Sequence, residues 1–329
     1  MRSPFVCHLL MLAGLAFSAA PAFATEGGLG AYLLGTRDSL SGIVPPKGTY
    51  ISYDNVYLNG NIAFLAIGGK VLTNAEVETY VGKINLTHSF AGTVLGGRPS
   101  LTVTVPFAVS AIAFDGVAQI GPAALPSVRL KDNRTGLSDV TVTGGLGYDR
   151  GRSHLALQLS VYLPVGFWQP ASIDIPGRTI DVLSTGKNRA AIDPTVGYTF
   201  LDPKTGRELS VATGITFPFR NVATDYVTAP ELHVEMAAMQ HLPSGLAFGA
   251  HGYAYTQLGD DSGSGADSFR QTVGVSSLKA RVFAIGPLVT YATKIGGHGV
   301  TAKLKYSHEF EARKHLESNV LQLSAAMAF

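Results

Sequence analysis

The amino-acid sequence alternates apolar and polar positions in a series of segments, a pattern that predicts β-strands. In residues 101–113, for example, Leu101, Val103 and Val105 fall on one face of a strand, while Thr102 and Thr104 fall on the other. Turn-forming residues, above all glycine, proline, asparagine and aspartate, separate the segments. The pattern predicts twelve strands, at 48–58, 78–91, 100–113, 136–149, 153–166, 190–202, 207–217, 227–241, 245–258, 278–293, 298–310 and 319–329.

The connections between these segments alternate between short and long. Compact turns fall at 149–152, 202–206, 242–245 and 295–298, and long connections at 59–75, 114–135, 167–189, 218–226, 259–274 and 311–318. Transmembrane β-barrels show this asymmetry, with short periplasmic turns and longer extracellular loops. We therefore predict an all-β fold, an antiparallel transmembrane β-barrel of about twelve strands. Fourteen strands is the alternative, with an extra hairpin in 59–77 or 167–189.

The predicted strands each present an apolar face, and their charged residues fall mostly on the opposite face. Because a lysine or arginine facing lipid at the bilayer centre costs roughly 2–4 kcal/mol, we assign the charged face to the lumen. These side chains could form a constriction that orients a carboxylate or phenolate. Alternatively they satisfy one another as ion pairs and hydrogen bonds, the interpretation that we favour. The candidate lumen-lining residues are Lys83, His233, Glu235, Lys303, Lys305 and Glu309.

The last predicted strand ends in an aromatic residue, Phe329. A terminal strand that closes a barrel places such a ring at the membrane boundary. We predict that this strand pairs with 48–58, and that Phe329 is an assembly residue.

The start of the chain predicts export. Arg2, the apolar run 5–17 and Ala22-Phe23-Ala24 have the order of a signal peptide, which we place at residues 1–24. Residues 25–47 are rich in glycine and lack strand periodicity, and 48–329 would form the barrel. Because a twelve-stranded barrel is wider than its own side chains fill, 25–47 could plug the lumen, and the alternative is a periplasmic leader. We favour the plug, with candidate residues Tyr32, Leu33 and Leu34.

The amino-acid composition and the absence of known motifs exclude several kinds of site. The only cysteine, Cys7, lies in the predicted signal peptide, so disulfides and thiolate metal sites are excluded from the mature chain. Lysine and arginine total 25 against 23 acidic residues, and the sequence has no run of basic residues of the kind that would indicate nucleic-acid binding. No motif for a cofactor, a metal or a catalytic nucleophile is present, so we expect no cofactor and no enzymatic activity.

Several segments resemble the family of outer-membrane proteins associated with the meta-pathway of phenol degradation. The likeness lies in Pro45-Pro46-Lys47-Gly48-Thr49-Tyr50, Gly136-Leu137-Ser138-Asp139-Val140, Asn221-Val222-Ala223-Thr224-Asp225-Tyr226 and the stretch from Gly252 to Gly263. The resemblance implies a barrel in the bacterial outer membrane that takes up hydrophobic or aromatic compounds, distantly like long-chain fatty acid channels.

These observations support one leading functional hypothesis and two alternatives. The leading one is uptake of small hydrophobic, aromatic, phenol-like compounds. The partners would be outer-membrane lipids, lipopolysaccharide, the barrel assembly machinery and the solute. One alternative is a lipid or ester hydrolase with His88, His233 or His251 as an inward-facing base, and the other is a structural or adhesive barrel.

Two further features have ordinary interpretations. Most members of the aromatic set Tyr253, Tyr255, Tyr306, Phe310 and Trp168 are expected in the girdle at the membrane surface. The acidic stretch 259–267 could bind Ca²⁺, but it lacks the spacing of an EF-hand and is expected to be a solvated loop.

Overall fold

The computed structural model describes residues 30–67, 70–119, 129–174 and 176–329. The predicted signal peptide and residues 25–29 of the predicted plug lie outside this part of the chain. The described residues form fifteen strands and one helix. They are β1 Gly48–Ile67, β2 Lys70–Ser89, β3 Arg98–Gln119, β4 Leu130–Leu137, β5 Val140–Arg150, β6 Ser153–Leu163, β7 Ser172–Asp174, β8 Thr179–Asp181, β9 Ala191–Asp202, β10 Arg207–Pro218, β11 Glu231–His241, β12 Leu246–Gln257, α1 Ser264–Val273, β13 Arg281–Ile295, β14 His298–Arg313 and β15 Glu317–Ala328.

Antiparallel pairing between neighbours closes the sheet into a barrel. The first strand pairs with the last, from Tyr50 opposite Ala328 to Asn61 opposite Glu317. Beyond the end of β15, the Phe329 N–H donates to the Thr49 carbonyl at 2.8 Å. All twelve predicted strands are present in the wall, and the prediction of a closed, all-β, twelve-stranded antiparallel barrel is confirmed.

The fourth wall strand is interrupted, so it appears as two elements, β4 and β5. Thr104 pairs with Thr141 and Phe107 with Leu137, so two residues of β3 face the three residues 138–140. Pro106 lies at this point and cannot donate a backbone hydrogen bond, but its carbonyl accepts one from Ser138 N–H at 2.9 Å. The interruption is therefore a β-bulge, which bends the strand.

The first strands of the wall extend further toward the long loops than the alternation of apolar and polar residues predicted. Residues 59–67 and 70–75 belong to β1 and β2, so the prediction of a loop at 59–75 is wrong. Asn59-Gly60 has the composition of a hairpin turn, but strands on both sides hold it in extended pairing. The predicted loop 114–135 likewise contains the end of β3 and the start of β4.

An apolar cluster lies inside this extended part of the wall, at the end of the barrel that carries the long loops. Inward-facing Leu58, Leu72 and Phe114 pack with Ile180 and Val182 of the loop that follows β6. The same loop contains the two-stranded sheet β7–β8, which pairs with itself. The fourteen-strand alternative is therefore wrong, because this hairpin packs on the inner side and does not enter the wall.

The acidic stretch 259–267 is not a simple solvated loop. It leads into α1, whose Ala266 and Phe269 are buried against Tyr226 and Leu278. Asp261 accepts hydrogen bonds from the Tyr226 hydroxyl at 2.5 Å and from Ala229 N–H at 2.9 Å. Burial nevertheless raises the pKa of Asp261. The helix folds here because Phe269 and Ala266 find an apolar partner that the local sequence does not reveal.

The outer surface of the wall is apolar. Among its exposed large side chains are Leu101, Val105, Phe107, Leu157, Leu159, Met236, Leu304, Leu321 and Leu323. In the described ranges, no helix has the length and apolar character needed to cross a membrane. Alternation between this surface and a polar interior sets the register of every strand, since a slip of one residue would exchange the two faces.

Candidate functional site

An N-terminal segment, residues 30–47, lies inside the barrel against the inner face of β9 to β14. Glu235 accepts hydrogen bonds from the backbone N–H groups of Gly35 at 2.8 Å and Arg37 at 2.6 Å. Glu208 accepts one from Leu40 N–H at 2.7 Å. The segment has no strand partner for its backbone, and wall carboxylates supply the acceptors instead.

The middle of this segment is held by charge. The Asp38 carboxylate lies 2.9 Å from Lys303 Nζ and 2.7 Å from Lys305 Nζ, and its side chain is 2% exposed. Burial by itself would raise the pKa of Asp38, but the two ammonium groups outweigh it and hold the pKa well below its ordinary value. Lys305 also donates to the Gly35 carbonyl.

The end of the segment approaches the wall backbone directly. Gly42 N–H donates to the Thr199 hydroxyl at 2.9 Å. A Cβ on Gly197 would lie 2.1 Å from the Ser41 carbonyl oxygen, so only glycine fits at this point of β9. Near the short-turn end of the barrel, Arg98 donates to the Val44 carbonyl at 2.7 Å.

The candidate plug residues contact different parts of the interior. Tyr32 is buried, and its ring stacks on the His233 imidazole with centroids 3.8 Å apart. Leu34 packs with the cluster around Tyr253 and Val282. Leu33 and Leu34 also line the remaining cavity.

The other candidate lumen residues also point into the barrel. His233 Nε2 lies 2.9 Å from the Asp193 carboxylate, which also accepts the Thr216 hydroxyl at 2.5 Å. Glu309 accepts hydrogen bonds from the Tyr253 hydroxyl at 2.6 Å and Ser318 N–H at 2.8 Å. Lys83 lies 3.6 Å from Asp54, a longer and looser contact than the others.

The three candidate histidines, His88, His233 and His251, do not form a hydrolytic site in the part of the chain that the structure describes. His88 is exposed on the outer side of β2, so its predicted inward orientation is wrong. His251 Nε2 lies 2.9 Å from the Tyr306 carbonyl, which requires a proton on that nitrogen. The same nitrogen therefore has no lone pair to accept a proton from Ser307, 3.3 Å away. His233 Nε2 faces the Asp193 carboxylate and its ring stacks on Tyr32, so neither neighbour is the serine or threonine nucleophile of a triad.

Two tyrosines of the aromatic set that was expected mostly in the girdle lie inside the barrel. Tyr253 and Tyr255 are each 5% exposed, and Tyr255 donates its hydroxyl hydrogen to Glu231 at 2.7 Å. Alternation along β12 places both on the same face as His251, a signal that could have located them. Tyr306 and Phe310 face outward.

The N-terminal segment leaves part of the interior empty. A cavity of about 610 Å³ runs between residues 30–37 and the inner faces of β1, β2, β3, β5 and β6. Toward the long loops part of its wall is apolar, although Thr79, Ser110 and Ser318 also lie there, and toward the short turns it carries mainly hydroxyl and amide groups. The apolar part includes Leu58, Val77, Ala108, Ile112, Leu316 and Val320, and the polar part includes Asn85, Thr87, Thr102, Thr104, Thr143 and Gln158.

Several of these site residues were missed by sequence reasoning. Arg37 and Asp38 are charged residues within a glycine-rich stretch, and that pattern was the one signal in the sequence that could have indicated their role. Glu208 alternates with the outward-facing Leu209, so its orientation was readable, but its partner in the N-terminal segment was not.

Comparison with known proteins identifies the family. The profile of the family described as "Putative MetA-pathway of phenol degradation" matches residues 61–325. The chain belongs to this family. The resemblance seen in the sequence is thereby confirmed. None of the curated proteins compared with the chain matches it.

Comparison with solved structures gives similarities of different strength. An outer-membrane channel from Pseudomonas putida F1 is similar with a TM-score of 0.62 and 13% identity, over 87% of this chain and 97% of that one. The translocator domain of the autotransporter NalP from Neisseria meningitidis has a TM-score of 0.45 and 10% identity, over 87% and 90% of the two chains. A FadL homologue from Pseudomonas aeruginosa has a TM-score of 0.41 and 7% identity, over 94% and 97%.

The first of these similarities establishes the architecture of this family member. It has the fold of an outer-membrane channel, and it is a protein of the outer membrane, as predicted. In this comparison the fold likeness is to an outer-membrane channel and not to an enzyme.

Proposed function

We propose that this protein is a channel for the uptake of small hydrophobic, aromatic compounds of the phenol type. The observation that carries the proposal is the cavity of about 610 Å³, which has an apolar part near the long loops and a polar wall toward the short turns. An aromatic ring with one polar substituent matches such a wall, because both parts of the solute find suitable surroundings. The family description, which refers to phenol degradation, supports this substrate class.

In this proposal the N-terminal segment is a plug. It occupies the half of the lumen next to β9 to β14 and reduces the passage to the cavity beside β1 to β6. The long loops face the outside of the cell, and the short turns and chain ends face the periplasm. The apolar outer surface contacts lipid and lipopolysaccharide, and Phe329 acts when the barrel assembly machinery closes the sheet.

Uptake by whole cells tests the proposal. Cells that lack the protein should take up radiolabelled p-cresol, a neutral phenol, several-fold more slowly at micromolar concentration than cells carrying it on a plasmid. Ala108→Trp should also slow uptake, because Ala108 lines the cavity and an indole would narrow it.

The matched control is Ala111→Trp on the same strand, where the side chain is exposed on the outer face. It should leave uptake unchanged. Equal uptake with and without the protein would contradict the proposal, as would equal effects of the two tryptophan variants at equal amounts of folded barrel.

A further inference from the structure

We infer that the cavity favours aromatic solutes that carry one negative charge, and that Lys83 and Arg37 bind the anionic group. The inference rests on the proposed function, since it concerns selectivity within the same passage. Both side chains line the cavity, Lys83 from β2 and Arg37 from the N-terminal segment.

The carboxylates that line the cavity already have donors. Glu309 accepts three hydrogen bonds, from the Tyr253 hydroxyl and from the N–H and hydroxyl of Ser318. Asp139 accepts two, from Gly166 N–H at 2.9 Å and Lys187 N–H at 2.8 Å. Asp54 accepts one from the Asn85 amide at 2.9 Å. These groups are held by the protein and offer little to a solute.

Lys83 and Arg37 differ from these carboxylates. Lys83 Nζ has its nearest carboxylate oxygen at 3.6 Å, beyond ordinary hydrogen-bond length. The Arg37 guanidinium donates to the Ser160 hydroxyl at 3.3 Å. An ammonium has three donors and a guanidinium five, so several remain for a ligand. Lys303 and Lys305, by contrast, are both engaged by Asp38.

The position of Lys83 along the barrel suits a ligand with two unlike ends. Asp54 lies opposite Lys83, and Leu58 lies opposite Thr79, closer to the long loops on the same two strands. Leu58, Val77 and Ile112 therefore bound the part of the cavity on the loop side of Lys83. A ring in the apolar part places a carboxylate or phenolate beside Lys83, whereas a neutral ring leaves the donors of its ammonium unused.

Isothermal titration of the refolded barrel with benzoate and benzamide tests the inference. The two molecules have similar size, and only benzoate is charged. Because hydrogen bonds to charged groups are the stronger ones, we expect benzoate to bind about tenfold more tightly. Lys83→Met should abolish the difference, and Lys83→Arg should keep most of it. Lys131→Met is the matched control, because Lys131 is exposed on the outer side of β4.

Equal binding of the two compounds, or an unchanged preference in Lys83→Met, would overturn the inference. Circular dichroism and heat-dependent migration in gels establish that each variant is folded. If Lys83→Met does not fold, Arg37→Gln gives the same test outside the barrel wall. The p-cresol experiment separates the two proposals: uptake of that neutral phenol upholds the channel even when benzoate shows no preference.

Discussion

Replacing Asp38 by asparagine should release the N-terminal segment from the barrel wall. Asparagine keeps the shape of the side chain but leaves Lys303 and Lys305 without their carboxylate. Removing one partner of a buried ion pair costs about 3–5 kcal/mol. Water reaches part of Lys303, whose side chain is 21% exposed, so we take the lower limit, about 3 kcal/mol. That energy raises the population of the released segment roughly a hundredfold.

A cysteine reporter measures this population. Ser41→Cys is suitable because the Ser41 hydroxyl is buried and has no hydrogen-bond partner, so the exchange removes no contact. The chain has a single natural cysteine, Cys7, in the predicted signal peptide. The rate at which a bulky maleimide labels the new thiol should rise roughly a hundredfold in Asp38→Asn, in proportion to the released population.

Two comparisons make this prediction refutable. Asp267→Asn changes an exposed carboxylate on α1 and should leave the labelling rate unchanged. Adding Lys305→Met to Asp38→Asn should recover part of the protection, because it removes an uncompensated buried cation. A labelling rate in Asp38→Asn within twofold of the parent would show that the ion pairs do not hold the segment.

Three other predictions concern pH and barrel closure. The pKa of Asp38 in the folded protein is depressed, so the stabilisation that Asp38 provides is complete above the ordinary carboxyl pKa of about 3.9 and is lost only below it. Protonation of Asp38 should therefore cause no increase in the labelling rate of Ser41→Cys between pH 8 and 5. Gly60→Val should lower the yield of folded barrel, measured by heat-dependent gel migration, because a Cβ there would lie 2.3 Å from the Glu317 carbonyl oxygen. Phe329→Ser should reduce membrane-inserted barrel in fractionated cells, and altered transport with normal insertion would contradict its assembly role.

Strand positions were readable from the sequence because alternation depends on which face of a strand meets lipid. Met236 and Leu304 face outward, and Glu235 and Lys305 inward, as the pattern along each strand predicts. Strand lengths were less accessible. Asn59-Gly60 favours a turn in isolation, but pairing with β2 and β15 outweighs that preference.

The alternation of apolar and polar residues could not predict the network of ion pairs and hydrogen bonds inside the barrel. Alternation indicates that Lys303, Lys305 and Glu235 point inward, but it cannot say which charge each one meets. Their partners, Asp38 and the backbone of Gly35 and Arg37, come from a segment about 200 positions or more away in the chain. Contacts at such separation leave no local periodicity.

The sequence by itself determined the class of the protein, a twelve-stranded outer-membrane barrel, because the membrane imposes an apolar surface that every strand must show. The tertiary structure alone decided how the lumen is divided between the N-terminal segment and the cavity. It also decided which charged side chains stay available to a solute. Asp38 pairs with Lys303 and Lys305, whereas Lys83 has only a loose contact with Asp54. The division of the lumen and the pairing of its charges both depend on which side chains contact one another across the barrel, and strand periodicity does not specify those contacts.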